Sequence, residues 1–138
     1  MNRVFLDANI LFSAAWREGA GLLRIWNLPN TTLITSHYAF QEAERNLEYI
    51  EQHQRLALLI EKVEIVPEGS NDDLPHDVMI PEKDRPILLA AIYAGATHLL
   101  TGDKKHFGLW YKQCVNGVQI LRPTDYLAMF CSKQTDDR

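Results

Sequence analysis

Five short apolar runs, each bounded by a capping, proline or glycine residue and separated by stretches with helical spacing, constrain this chain more than any other feature. They are residues 3–7 (RVFLD), 32–35, 63–66, 97–101 and 118–121. Runs of four or five residues read as buried strands. Helices are expected between them. The stretch from Ile10 to Trp26 reads as two helical pieces interrupted by Gly19 to Gly21, and Pro29 with Asn30 closes it. Ser36 is a natural N-cap, and Ala39, Phe40, Ala43, Leu47 and Ile50 recur behind it at three- and four-residue spacing, which marks one buried helical face. Further helices are expected over Gln52 to Lys62, from about Asp84 to Tyr93 with Pro86 in the first turn and Gly95 at the end, and over Pro123 to Phe130. Asp103 to Phe107 reads as a short turn or helix, and residues 68–83 as a polar loop rich in acids and proline. Strands that alternate with helices predict an α/β fold, a three-layer α/β/α sandwich around a parallel sheet of about five strands.

The chain has 138 residues, 46% of them hydrophobic and 23% charged, so it can bury a core of its own and lacks the composition of a disordered segment. One domain over residues 1–131 is expected, with 132–138 a frayed tail. No apolar run approaches the roughly 18 residues that a membrane span needs, and the passage from Arg3 into Val4 and then Asp7 is unlike a signal peptide. The two cysteines, Cys114 and Cys131, stand in no CxxC or zinc-finger spacing, so free thiols and a cytoplasmic location are expected. Dinucleotide and P-loop readings fail because neither glycine-rich motif is present.

Ligands of an open parallel sheet bind beyond the carboxyl ends of its strands, where strand order reverses. Four acids are expected there. Asp7 ends the first strand, Asp84 opens the helix after the third, and Asp103 follows the fourth. Glu42 lies nearly two turns into the helix after the second strand; Glu44 is the alternative, and spacing from Ser36 favours Glu42. Each acid alone reads as a cap or turn residue. Placed together they repel, since two unit charges about 4 Å apart interact by roughly 4 kcal/mol at an effective dielectric near 20. An all-carboxylate oxygen set without cysteine or paired histidines suits Mg²⁺ or Mn²⁺. The net charge of −4 argues at first against a nucleic-acid partner. Setting these four acids aside leaves fourteen residues of each sign, so a polyanionic substrate stays compatible with the charge.

Three blocks in this order, FLDANIL at 5–11, TSHYAFQEAERNL at 35–47 and KDRPILLAAIYAGATHLLTGDKKHF at 83–107, resemble a PIN domain, and the likeness covers about residues 3 to 125. The resemblance implies a metal-dependent endoribonuclease acting on RNA, often the toxin of a bacterial toxin–antitoxin pair of the VapC type. It maps metal-binding acids onto Asp7, Glu42, Asp84 and Asp103, with Asn9 and Thr101 as polar neighbours that hold the ligands or their water. It also implies a homodimer and an antitoxin protein as partners, to which apolar Trp16, Trp26 and Ile50 would contribute. Many members carry a further acid two positions past the last aspartate, where Lys105 stands here. The alternative is a PIN-like domain without catalysis that serves as an RNA- or protein-binding scaffold. His37 and His106 near the same rim are read as surface or capping residues. Lys104 and Lys105 are read as a solvated turn.

Overall fold

The computed structural model describes residues 1–69 and 78–136, so residues 70–77 of the expected polar loop and the last two residues of the expected tail lie outside it. The elements follow the expected alternation: β1 (Asn2–Leu6), α1 (Ala8–Trp16), a 3-10 segment (Gly21–Asn27), β2 (Thr31–Ser36), α2 (His37–Asn46), α3 (Ile50–Ile60) and β3 (Glu64–Val66). A 3-10 turn (Glu82–Asp84) then leads into α4 (Arg85–Tyr93), followed by β4 (His98–Leu100), α5 (Lys104–Phe107), a 3-10 turn (Gly108–Trp110), β5 (Cys114–Val115), β6 (Val118–Leu121) and α6 (Pro123–Asp136).

The sheet order is β3-β2-β1-β4-β6-β5, with five strands parallel and β5 antiparallel to β6. The expected five parallel strands are therefore joined by a sixth. Val115 pairs with Val118, which leaves Asn116 and Gly117 as a two-residue loop with φ of 48° and 86°. An Asn-Gly pair with both residues at positive φ is the favoured hairpin connection, since its twist matches that of the strands.

Alternation along the central strands sorts the core into two halves. Phe5, Ile34, Leu99 and Ile120 face one layer, while Val4, Leu6, Leu33, Leu100 and Leu121 face the other. Both faces of a parallel sheet are covered by helices, and each fully buried Leu, Ile or Phe is stabilised by about 1.5–3 kcal/mol relative to exposure. On the first face lies α4, where Ile87 to Ala91 are buried without a break, as suits a helix packed nearly all round. Gly95, at φ 68°, ends this helix in the left-handed region. The second face takes Ile10 and Leu11 of α1, Leu56 of α3 and Tyr126 of α6. The carbonyl end of α1 is closed by α3: Arg55 donates to the Ala15 oxygen at 2.9 Å and the Trp16 oxygen at 3.0 Å, and the buried Gln52 amide donates to Trp16 at 3.1 Å. These bonds occupy carbonyls that have no partner inside the helix.

Two expected boundaries are corrected. The last helix runs to Asp136 instead of ending at Phe130, and so takes in residues 132–136 of the expected frayed tail. The helix behind Ser36 stops at Asn46, because Leu47 turns to extended backbone (φ −84°, ψ 137°). Ile50 is thus not on its buried face but opens α3, where it is exposed. Among the described residues no helix is long and apolar enough to cross a membrane.

Candidate functional site

The reversal of strand order falls at β1 and β4, and the residues that leave these two strands form one wall of a cleft of about 400 Å³. Asp7, Asn9, Phe12, Glu42, Asn46, Lys83, Asp84 and Asp103 line it. All four expected acids therefore meet at one rim. Glu42 faces the cleft and is half-buried, whereas Glu44 is exposed and does not line it.

Asp7 is held most tightly. It is the N-cap of α1, and its Oδ1 accepts from the Ala8 N–H at 2.6 Å. Its Oδ2 accepts from the Thr101 hydroxyl at 2.8 Å and from the Asn9 amide at 3.2 Å. Thr101 is fully buried and also accepts from the Asp103 N–H at 3.1 Å, while Asn9 Oδ1 accepts from the Gly102 N–H at 2.9 Å. Asn9 and Thr101 thereby tie the turn after β1 to the turn after β4. Burial pushes the Asp7 carboxyl up to about 6; its bonds from Thr101 and Ala8 oppose this, and the charges of Asp84 and Glu42 add to it.

Asp84 and Asp103 exchange the roles that position in sequence suggests for them. Asp84 occupies the N-cap position of α4 but makes no capping bond with its side chain, and the helix begins instead with Pro86 in its first turn. Asp103 caps α5, its Oδ1 accepting from the His106 N–H at 3.1 Å. The Asp84 carboxyl is raised chiefly by burial; His106 lowers it, Asp103 raises it, Lys83 lowers it and Glu42 raises it. Asp84 is 8% exposed, and its Oδ2 is buried without a hydrogen-bond partner. A buried carboxylate oxygen without a hydrogen bond, beside the like charges of Asp103 and Glu42, suits a cation, and hard oxygen donors of this kind fit a divalent one. The residues present thus suit the expected metal.

Two features escaped the sequence reading. Lys83 lines the cleft and lowers the Asp84 carboxyl, and its only signal was its place next to Asp84. His106 sits at the carboxylates instead of on the surface: its Nδ1 is 2.7 Å from both Asp84 Oδ2 and Asp103 Oδ2. Lys104 and Lys105 are exposed, as a solvated turn should be.

No protein-family model and no curated protein matches the chain. Solved structures do. A chain of VapBC2 from Rickettsia felis, solved bound to a DNA fragment from its promoter, aligns over 87% of this chain and 98% of its own, with a TM-score of 0.65 and 16% identity. A chain of VapBC-1 from nontypeable Haemophilus influenzae aligns over 88% and 98%, with a TM-score of 0.57 and 20% identity. These likenesses establish the fold as the PIN-like α/β/α sandwich that the sequence resembles.

Proposed function

We propose that the chain is a Mg²⁺- or Mn²⁺-dependent endoribonuclease, with residues 1–131 as its nuclease domain, and that it is the toxin of a toxin–antitoxin pair. The observation that carries this reading is the convergence of Asp7, Glu42, Asp84 and Asp103 on one cleft, with Asp84 Oδ2 buried and without a hydrogen bond. The shared fold with chains of two VapBC complexes supports the toxin assignment and an antitoxin as partner.

In this reading Asp7, Glu42, Asp84 and Asp103 are the metal-binding and catalytic acids. A divalent cation held there supplies Lewis acidity, neutralising charge on the phosphodiester and making water a competent nucleophile. Asn9 and Thr101 are supporting residues that fix the Asp7 carboxylate before substrate arrives, so no reorganisation is needed during reaction. Lys83 on the cleft wall offers a positive charge to a phosphate oxygen.

Water as nucleophile leaves the RNA 2′-hydroxyl out of the reaction. The products are expected to carry 5′-phosphate and 3′-hydroxyl ends, read by enzymatic end-labelling of a cleaved oligoribonucleotide. Cyclic 2′,3′-phosphate ends, or cleavage undiminished by excess EDTA, overturn the mechanism.

Trp16, Tyr49 and Ile50 remain exposed where α1 meets the start of α3, whereas Trp26 is half-buried and donates its indole N–H to the Leu59 oxygen at 3.1 Å. Clustered exposed apolar side chains mark a protein contact. A homodimer is proposed, for which light scattering should give twice 15.9 kDa. A mass near 15.9 kDa at tens of micromolar protein counts against it.

A further inference from the structure

His106 is one helical turn beyond Asp103, and its own backbone N–H donates to Asp103 Oδ1 at 3.1 Å. That bond fixes the Asp103 carboxylate so that the other oxygen, Oδ2, meets the His106 ring at 2.7 Å. Asp84 Oδ2 meets the same ring nitrogen at 2.7 Å. Neither oxygen lies where a ring N–H would point, so His106 Nδ1 and Asp84 Oδ2 are both buried without a hydrogen bond. A histidine serving as a proton donor to these acids would aim its N–H at one of them. Here one ligand atom from each of His106, Asp84 and Asp103 lies within 4.8 Å of the others. Among the described residues this is the one such group of His, Cys, Asp or Glu side chains. The other described histidines are engaged elsewhere: His53 with the Leu47 oxygen at 2.9 Å, His98 with the Thr97 hydroxyl at 2.8 Å, and His37 against the Phe40 ring.

We propose that His106 is itself a metal ligand, coordinating the divalent cation through Nδ1 beside Asp84 and Asp103, and that this nitrogen gives the site a preference for Mn²⁺ over Mg²⁺. The proposal deepens the metal-dependent reading above and rests on it. Imidazole is a softer donor than carboxylate and favours transition metals, whereas Mg²⁺ prefers oxygen alone.

The test is pulsed EPR of Mn²⁺ added to the metal-free full-length chain, with Mn²⁺ and Mg²⁺ affinities from calorimetry. A coordinated imidazole couples its ¹⁴N nuclei to the Mn²⁺ spin, and growth on ¹⁵N-histidine must convert that signal without any mutation. Wild type is expected to show the histidine signal and to bind Mn²⁺ at least tenfold tighter than Mg²⁺. In His106→Gln the signal disappears and Mn²⁺ affinity falls about tenfold or more, on the order found when a metal-site residue is lost, while Mg²⁺ affinity changes less. Mn²⁺ bound by wild type without a nitrogen signal overturns the ligand role alone. A signal that survives His106→Gln in the folded protein also overturns it. If wild type binds Mn²⁺ no better than Asp84→Asn does, the metal site itself is refuted, and the ligand with it.

Discussion

Asp84→Asn should lower RNA cleavage by roughly a thousandfold or more, because a catalytic cation contributes several kcal/mol to the transition state and each 1.36 kcal/mol is tenfold in rate. The fold should survive. The Asp84 side chain accepts no capping bond from α4, and its buried Oδ2 has no hydrogen bond to lose. Burial already raises its carboxyl, so the charged form is an expense to the folded chain in the absence of metal. The check is a fluorescent-RNA cleavage assay in saturating Mn²⁺ alongside a thermal melt in EDTA. Activity within about tenfold of wild type, with the melt unchanged, would remove Asp84 from the catalytic set. Asp103 is the less clean probe, since its loss also uncaps α5.

The second large effect concerns stability. Asp7 is 4% exposed, and its carboxyl is raised from the ordinary 3.8 to about 6. Between these values the folded chain holds a proton that the unfolded chain has released, so rising pH favours unfolding. The stabilisation is complete below pH 3.8 and is lost as pH climbs through about 6. At 1.36 kcal/mol per pH unit the total is about 3 kcal/mol. Asp7→Asn removes this titration but also alters the bonds from Thr101 and Asn9, a cost that does not vary with pH. The unfolding free energy of the variant relative to wild type is therefore expected to grow by roughly 2.4 kcal/mol between pH 4 and pH 8 in EDTA. Urea titrations across that range read it. A difference that stays flat within about 1 kcal/mol would mean that Asp7 is not desolvated in solution.

Much of this architecture is visible in the chain before folding, and for a physical reason. Val4, Phe5 and Leu6 face alternate layers, so a strand covered on both sides has to be apolar throughout, and such runs are conspicuous. Asp7 is legible as the first polar residue after such a run, Asp103 because it follows the next strand closely, and Asp84 because Pro86 marks a helix start beside it. Glu42 is legible only through helical spacing from Ser36, whose hydroxyl does cap α2, accepting from Ala39 at 3.1 Å. The Asn116–Gly117 turn carried a hairpin signal, but its strand Cys114–Val115 is too short to announce itself. Ile50 misled because apolar spacing continues across the break at Leu47, where only backbone angles record the change. His106 was illegible as a site residue, since its spacing from Asp103 says nothing about which way a ring turns. The cap of α4 failed similarly: proline in the first turn can start a helix whether or not the preceding aspartate bonds to it.

The clasp between the two central loops has a consequence for synthesis on the ribosome. Asp7 is among the first residues made, yet the hydroxyl that orients it belongs to Thr101, and the backbone N–H of Asp7 donates to the Leu100 oxygen at 3.1 Å. Because β1 lies between β2 and β4, an emerging chain can pair β1 on one side long before the other side exists. Contacts between residues so far apart form late. A chain halted between residues 84 and 101 carries Asp7, Glu42 and Asp84 but neither Thr101 nor Asp103. The order of translation thus leaves the four-acid cleft incomplete until the turn after β4 has been made.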